Sequence, residues 1–415
     1  MRPALLCVGL VALAACAQTP PKAEPPATPP QEPLVRGNEV RLLVDGPQTH
    51  GAMLEAMARA RGSIDVETYI LEDGEVGAKF ADMLERKARE GLAVNLLYDA
   101  IGSFGTSREY FERLKAAGVR VCEFNPVNPA KTQPKNTDLN NRDHRKITVV
   151  DGRIAFTGGI NIAEAYSAGS LTARRSGHHD HAEDVKRGWR DTDVQVEGPV
   201  VAQFQQLFMK SWQAQHCPAP GQARYFPKLE PRGTKLARVV ASDPAHDRSE
   251  MYAALHHAIR NARSRVWLTI GYFVPDPETL QILQEAARRG VDVRLVLPGF
   301  SDFWAPVYAG RSNYEALLEA GVRIYEWRSA LMHAKTAVID GQWSSVGSTN
   351  VDWRSFVHNY EDDLLVFDAA FGREMEKRYL LDVQASTPID PQKWAHRGPV
   401  ERAKEALARA WQYFL

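Results

Sequence analysis

The sequence predicts an α/β fold built from two fused, similar domains, each a sandwich of helices against a mixed sheet. Strand-like and helix-like apolar periods alternate from Val40 onward, which is typical of α/β proteins. One short motif occurs twice, as HRKITVVDG from His144 and as HAKTAVIDG from His333. The segments before the motifs also match, with AAGVRVCEF at 116–124 and EAGVRIYEW at 319–327. A duplication on this scale indicates two domains rather than a solenoid of short repeats.

The predicted elements follow the same order in both halves. Alternating periods predict strands and periods of 3.6 predict helices, giving β-α-β-α-β before each motif hairpin. The first half has strands at 63–70, 93–98 and 119–124 and helices at 76–90 and 106–117; the second has strands at 265–271, 291–297 and 322–327 and helices at 278–289 and 312–320.

Each motif reads H-x-K-x4-D-G and predicts a strand that ends in a tight turn. In an extended segment the His and the Lys share one face, so both side chains project into whatever that face meets. The β-branched run Ile147–Val150 favours a strand, and Asp-Gly favours a hairpin turn. The motif aspartates, Asp151 and Asp340, have two open roles, as hairpin-turn residues or as orienting residues of the site.

The chain begins with an apparent export signal, residues 1–15. Its apolar run is too short to cross a bilayer, and Leu-Ala-Ala-Cys at 13–16 resembles a bacterial lipoprotein cleavage box. We therefore expect a lipid on Cys16, with Ala17 indicating the outer membrane rather than the inner; the alternative is a plain signal peptide cut nearby. The proline-rich segment 16–38 is predicted to be a semi-stiff tether.

Composition allows one large or two medium domains, and the duplication favours two, predicted at 39–225 and 226–390 and followed by a helical tail at 391–415. The 415 residues are 44% hydrophobic, enough for two sizeable cores. Acidic and basic residues number 51 each, a balance that disfavours a dedicated nucleic-acid binder. Cys122 and Cys217 could pair in an oxidising compartment, although nothing in the sequence shows that they approach each other.

Three further segments allow two interpretations each. The run His178–His181 is either a zinc cluster or a solvated loop. Four aromatic residues are either a membrane-facing rim or core. The tail from Val400 has an apolar helical face that either packs on the second domain or docks on a membrane. The aromatic residues are Trp212, Phe303, Trp304 and Tyr308, and the helical face is Ala403, Leu407, Ala410, Trp411 and Phe414.

The two motifs and their downstream residues resemble the phospholipase D superfamily, and within it the bacterial cardiolipin synthases. The resemblance covers roughly residues 39 to 385. It implies two phospholipase D-like domains related by a pseudo-twofold axis, with the motif histidines and lysines meeting at one seam. The matching stretches are 63–70, 97–103, 158–161, 189–193, 272–276 and 347–355.

That constellation suits phosphodiester chemistry without a metal or a cofactor. One neutral imidazole attacks phosphorus, and the other, protonated, gives its proton to the departing alcohol oxygen. The family resemblance assigns His144 as nucleophile and His333 as acid/base. The predicted catalytic set is His144, Lys146, Asp151, His333, Lys335 and Asp340, with Asn161, Ser348 and Asn350 as phosphate-binding residues.

An imidazole that attacks through Nε2 needs its Nδ1 proton held, normally by a carboxylate. By family resemblance the candidates are Asp191 for the first half and Glu361 for the second; the alternative for each is an ordinary surface acid. Ser348 matches the family's Gly-Ser pair, whereas the first half has Gly159 at that position.

The resemblance predicts a phosphatidyl transferase that joins two phosphatidylglycerols into cardiolipin and glycerol. The alternatives are a phospholipase D that makes phosphatidic acid, a phosphodiesterase or nuclease of the same superfamily, and a non-catalytic lipid-binding module. Expected partners are a phospholipid substrate and a membrane surface, with no nucleic acid. The protein is expected to be a monomer in the bacterial envelope, facing the periplasm.

Overall fold

A computed structural model describes residues 32–127, 139–170, 188–244, 249–301 and 303–410. The predicted signal and Cys16, the run His178–His181, and the tail residues Trp411 and Phe414 lie outside the described residues. Within the described ranges, no helix is both long enough and apolar enough to cross a bilayer.

The described strands and helices alternate, and most predicted boundaries hold within about two residues, as expected of helix and strand ends. The strands are β1 (Val35–Val44), β2 (Ser63–Thr68), β3 (Ala93–Asp99), β4 (Arg120–Phe124), β5 (Arg142–Asp143), β6 (Ile147–Val150), β7 (Ile154–Gly158), β8 (Thr192–Glu197), β9 (Lys235–Ala241), β10 (Arg265–Ile270), β11 (Asp292–Pro298), β12 (Arg323–Trp327), β13 (Lys335–Ile339), β14 (Trp343–Gly347), β15 (Asn359–Tyr360), β16 (Asp362–Phe367) and β17 (Thr387–Pro388). The helices are α1 (Asp45–Ala58), α2 (Glu75–Arg89), α3 (Arg108–Ala116), α4 (Val201–Ala214), α5 (Glu250–Asn261), α6 (Pro277–Arg288), α7 (Trp304–Arg311), α8 (Tyr314–Glu319), α9 (Trp353–Val357), α10 (Ala369–Ala385), α11 (Pro391–Ala395) and α12 (Pro399–Ala410).

One mixed sheet runs through both halves and confirms the predicted α/β class. Its order is β17-β12-β11-β10-β13-β14-β16-β9-β1-β8-β7-β6-β2-β3-β4, while β5 and β15 pair separately. In each half three parallel strands are followed by the antiparallel motif hairpin, β6–β7 or β13–β14. The halves join where β1 pairs with β9, so equivalent strands lie in mirrored order about that junction.

Helix α7 is one of four helices within 226–390 that were not predicted from the sequence, the others being α5, α9 and α10. Residues 312–320 were predicted as a single helix, but α7 precedes a shorter α8, with Ser312 and Asn313 between them. Helix α7 contains Pro306, and its eight residues are too few to show a clear helical period. By contrast, α6 begins with readable signals, because Asp276 caps it and Pro277 is its first residue.

The two halves share a hydrophobic core as well as a sheet. Ile147 and Val149 of the first motif strand are buried with Val338 of the second and with Phe204 and Phe371, from α4 and α10. Side chains of both motif strands therefore belong to one buried cluster that spans the junction of the halves. Burial of one face of each strand fixes its register.

A disulfide joins Cys122 and Cys217, the pairing that the sequence left open. Their Cα atoms are 5.6 Å apart, and the bond links β4 to the segment after α4. Trp212 is buried in the same cluster, so this candidate for a membrane-facing rim belongs to the core.

Helix α12 packs on the second half, but through a different face from the predicted one. Ala408 is buried against Ala309 of α7, and the buried Glu405 binds Arg397. Leu407, which the sequence analysis placed on the packing face, is 57% exposed. The buried face is narrow and contains a charged residue, so an apolar stripe alone could not locate it.

Candidate active site

His144 and His333 line one cavity of about 470 Å³ at the seam between the halves. Their exposed fractions are 8% and 5%, so both rings are buried but reach the cavity. The structure thus brings together one imidazole from each copy of the motif. The remaining wall residues are Tyr69, Ile70, Ile101, Gly102, Asn161, Trp189, Tyr272, Val274, Phe303, Pro306, Asn350, Asp352, Arg354, Ser355 and Asn359.

Each histidine is held through Nδ1 by a carboxylate of the other half. The Nδ1 of His144 lies 2.8 Å from Glu361, and that of His333 lies 2.7 Å from Asp191. All four groups are buried, so the alternative of ordinary surface acids does not hold. Asp191 was predicted to serve the histidine of the first half and Glu361 that of the second. The structure corrects this to a crossed pairing. With Nδ1 held, Nε2 is the nitrogen left for chemistry at the cavity.

Two short backbone pairings explain the crossing. The strand β5, which ends next to His144, runs parallel to β15, which ends next to Glu361, and the His144 N–H donates to the Tyr360 carbonyl at 2.9 Å. In the same way Met332 pairs with Arg190, and the His333 N–H donates to the Arg190 carbonyl at 2.8 Å. Each histidine therefore stands directly opposite the carboxylate of the other half.

Burial sets the protonation of both rings. It holds the pKa of His144 well below the usual value, and Lys146 and Lys335 add to the effect. Burial likewise lowers the pKa of His333 to about 4, with Lys335 adding and Asp191 opposing. Both imidazoles are therefore neutral near pH 7. The negative charge of a bound phosphodiester favours protonation of a nearby imidazole. Substrate binding can therefore leave one ring protonated as the acid and the other neutral as the nucleophile.

The two carboxylates differ in the direction of their shifts. Burial alone would raise the pKa of Asp191, but His333 and Lys335 outweigh it and the pKa is lowered. Burial raises the pKa of Glu361, although Lys146 opposes the shift. The two histidines therefore have chemically different partners despite their symmetrical placement.

The motif lysines lie beneath the histidines rather than on the cavity wall. The ammonium groups of Lys146 and Lys335 donate to the main-chain carbonyls of His144 and His333 respectively. Burial lowers the pKa of Lys146 to about 7, although Glu361 opposes the shift. From this position the lysines supply positive charge to the floor of the site.

Asn161 and Asn350 both line the cavity and are held in equivalent ways. Their Oδ1 atoms accept from the main-chain N–H groups of Ile70 and Tyr272, each at 3.0 Å. These contacts fix the orientation of each amide, and Nδ2 is its donor atom, the one that can bind a phosphate oxygen. This arrangement is the one that the predicted phosphate-binding role requires.

Ser348 does not line the cavity, contrary to its predicted contact with phosphate. It is fully buried, its hydroxyl donates to Glu361 at 2.6 Å, and the hydroxyl oxygen accepts from the Asp362 N–H at 3.0 Å. Ser348 therefore positions the carboxylate that holds His144. At the equivalent Gly159 a Cβ atom would lie 2.2 Å from an oxygen of Asp191, so a serine would not fit there.

The structure places Asp151 and Asp340 outside the site, which corrects their assignment to the catalytic set and excludes an orienting role. Asp151 accepts from the N–H groups of Gly62 and Ser63 at 2.6 and 2.9 Å, where β2 begins. Asp340 accepts from the Arg265 N–H at 2.9 Å, where β10 begins. Each aspartate follows its motif lysine by five positions along the strand, a distance of roughly 16 Å. Both aspartates have left-handed φ, as their hairpin turns require.

Tyr166 contacts two residues of the site and was not predicted from the sequence. Its hydroxyl lies 3.0 Å from Nδ1 of His333 and 3.2 Å from Nδ2 of Asn161. Tyr166 follows Asn161 by five residues, and Ser355 follows Asn350 by five residues. Aligning the two motifs beyond the asparagine would have shown a hydroxyl at the same position of both copies.

The family model described as "Cardiolipin synthase, PLD-like domain" matches residues 53–170 and 255–380, once in each half. Among curated relatives, a cardiolipin synthase of Listeria monocytogenes serotype 4b (strain CLIP80459) is 33% identical over 379 residues, which cover 91% of this chain and 75% of the relative. Cardiolipin synthase 2 of Bacillus anthracis is 33% identical over 377 residues, which cover 89% of this chain and 70% of the relative. The predicted family is confirmed.

Two solved structures have the same fold at low identity. Phosphatidylserine synthase of Haemophilus influenzae Rd KW20 has a TM-score of 0.64 over 91% of this chain and 95% of that chain, at 13% identity. Polyphosphate kinase of Porphyromonas gingivalis has a TM-score of 0.56 over 91% of this chain and 54% of that chain, also at 13% identity. These likenesses establish the fold, and the chemistry must come from the site.

Proposed function

Because this chain belongs to the phospholipase D-like family of cardiolipin synthases, we propose that it is a phosphatidyl transferase that joins two phosphatidylglycerols into cardiolipin with release of glycerol. The observation that carries the proposal is the pair of imidazoles, His144 and His333, in one cavity with their Nδ1 atoms on carboxylates.

The transfer proceeds in two displacements at one phosphorus atom. Nε2 of His144 attacks the phosphodiester, the bond between phosphorus and the glycerol oxygen breaks, and His333 gives its proton to that oxygen. A second phosphatidylglycerol then enters. Its hydroxyl loses a proton to His333 and attacks the phosphohistidine, which breaks the bond between phosphorus and nitrogen and frees His144.

Electrostatics make the seam suited to this sequence. Lys146 and Lys335 place two ammonium groups under the histidines, and Arg354 lies on the wall. Positive charge fixed in a water-poor site stabilises the charge that builds on the phosphoryl oxygens in each transition state. The role of His144 as nucleophile rests on the family resemblance, because both rings are equally placed for attack.

The cavity fits a lipid head group but not the lipid tails. Its volume of about 470 Å³ is within the usual range of small-ligand sites, about 300–1,000 Å³. Moving acyl chains from a bilayer into water costs about 0.8 kcal/mol for each CH₂ group, on the order of 20 kcal/mol for two long chains. The tails therefore stay in the membrane while the head group reacts.

We propose further that the enzyme is exported and anchored by a lipid on Cys16, in the outer membrane rather than the inner. The lipoprotein-type sequence before Cys16 supports this location. The disulfide between Cys122 and Cys217 also supports it, since such bonds persist in oxidising compartments. One chain supplies both histidines and both carboxylates, so a monomer is sufficient.

The proposal is tested by mixing the purified protein with phosphatidylglycerol vesicles and identifying products by mass spectrometry. Cardiolipin with an equal amount of glycerol is expected. His144→Ala should abolish turnover, whereas His396→Ala, which removes an exposed histidine that does not line the cavity, should not. Phosphatidic acid as the sole lipid product would contradict the synthase assignment and identify a phospholipase D.

A further inference from the structure

Large apolar side chains are exposed next to the residues through which two loops reach the wall of the active-site cavity. Ile101 and Phe104, which follow β3, are 45% and 78% exposed, and Phe303 and Trp304, which follow β11, are 50% and 49% exposed. Ile101 and Phe303 also line the cavity. We refer to these four residues as the mouth residues.

The mouth residues come from equivalent places in the two halves. β3 and β11 occupy the same position in the mirrored strand order, so the segments that follow them lie at matching points of the fold. Each half thus contributes one loop with exposed apolar side chains next to the cavity. Because the surrounding sequences differ, with Gly102-Ser103-Phe104 in one half and Phe303-Trp304 in the other, the shared feature is apolar exposure and not residue identity.

The exposed apolar side chains of the first half lie on a firmly held loop. The Asp99 carboxylate accepts from the N–H groups of Ile101 and Gly102 at 2.8 and 3.0 Å, and the Ser103 hydroxyl donates to the Tyr69 carbonyl at 3.1 Å. A Cβ on Gly102 would lie 2.2 Å from that same carbonyl, so the loop is packed closely. The backbone of this loop therefore holds Phe104 outward.

We propose that the mouth residues dock the cavity onto a phospholipid bilayer by inserting into its interface. This inference rests on the proposed function, because a substrate whose acyl chains stay in the membrane can react only if the cavity opening meets the bilayer surface. Tryptophan suits that position because its amphipathic ring is enriched where headgroups meet hydrocarbon, and phenylalanine suits the apolar face that enters the acyl boundary. Ile101 and Phe303 are continuous with the cavity wall and would lie beside the first carbons of the lipid tails.

The chain offers a matched control on another surface. Phe226 is 55% exposed, close to the value of Trp304. It follows Tyr225, whose carbonyl would be 2.2 Å from a Cβ at Gly152, so it lies near the hairpin turn at the opposite end of the motif strand from His144. The Phe226→Ala substitution therefore removes exposed apolar surface but leaves the mouth residues unchanged.

The test compares a Phe104→Ala/Trp304→Ala double variant with Phe226→Ala. All proteins are full-length and carry Cys16→Ser, so that no lipid on Cys16 holds them to membranes. Binding to phosphatidylglycerol vesicles is measured by sedimentation, with His144→Ala added to prevent turnover. Activity is measured separately on a short-chain phosphatidylglycerol kept below its micelle concentration.

Docking predicts at least a tenfold loss of vesicle binding for the double variant. The vesicle binding of Phe226→Ala and the short-chain activity of the double variant should each stay within twofold of the parent. Equal binding by the double variant and its parent would overturn the inference, as would an equal loss for Phe226→Ala. If vesicle binding falls as expected but the parent turns over neither the vesicles nor the short-chain phosphatidylglycerol, the docking inference is supported and the proposed function is contradicted.

Discussion

The two histidines have symmetrical positions but unequal surroundings. Glu361, which holds His144, accepts from the Ser348 hydroxyl at 2.6 Å and from the Asn359 amide at 3.1 Å. His333 instead has two groups at its Nδ1, Asp191 and the Tyr166 hydroxyl. The two rings therefore have different chemical environments, which suits one ring to act as nucleophile and the other as acid/base.

Tyr166→Phe should therefore affect the step that needs His333 to transfer a proton. Loss of one neutral hydrogen bond of about 1 kcal/mol corresponds to about a fivefold decrease in kcat, with KM nearly unchanged. The pH dependence of kcat should shift as well, since Tyr166 acts through His333. Steady-state kinetics across pH would check this, with the control Tyr308→Phe on α7; an unchanged kcat and pH profile would rule out the positioning role.

Lys146 gives the site a pH dependence of its own. Burial lowers its pKa to about 7, so its positive charge is present below pH 7 and lost above. Phosphate affinity should then fall as pH rises, which appears as a KM that increases above about pH 7. Lys146→Arg keeps its charge at these pH values and should remove that increase, although its different shape should lower kcat. An identical alkaline rise of KM in the variant would contradict the assignment.

At the scale of elements, the sequence predicted strands well and their partners poorly. The β-branched run Ile147–Val150 and the Asp-Gly turn identify the motif hairpin locally, and the structure contains it. The crossing of Glu361 to His144 depends on β5 lying beside β15, two residues each, and no local pattern encodes such a long-range pairing. Ser348 was misassigned because the antiparallel pairing of β14 with β16 brings its partner Glu361 to it, and the local sequence does not show that pairing.

The motif aspartates show how a shared motif can include structural residues. Asp151→Ala removes hydrogen bonds to the start of β2 and places alanine at a left-handed φ. We expect a loss of unfolding free energy of about 2 kcal/mol and a lower Tm. The kcat of the folded protein should stay within twofold of the parent, measured at a temperature where both are folded. A kcat decrease above a hundredfold at unchanged Tm would instead restore Asp151 to the catalytic set.

At the scale of the molecule, duplication explains why the site lies at a seam. Each half supplies one histidine, one lysine and the carboxylate for the other half's histidine, so neither half contains a complete site. The duplication itself was readable from the matched segments 116–124 and 319–327. The sequence could not show that the halves share one sheet through β1 and β9, because that contact lies outside both motifs.

The central claim is that the two imidazoles act in turn on one phosphorus atom through a covalent phosphohistidine. The direct test stops turnover of labelled phosphatidylglycerol with alkali, which preserves the bond between phosphorus and nitrogen, and maps the label by mass spectrometry. The account predicts a labelled peptide containing His144, absent from the His144→Ala variant. Continued turnover with no label on either His144 or His333 would contradict it.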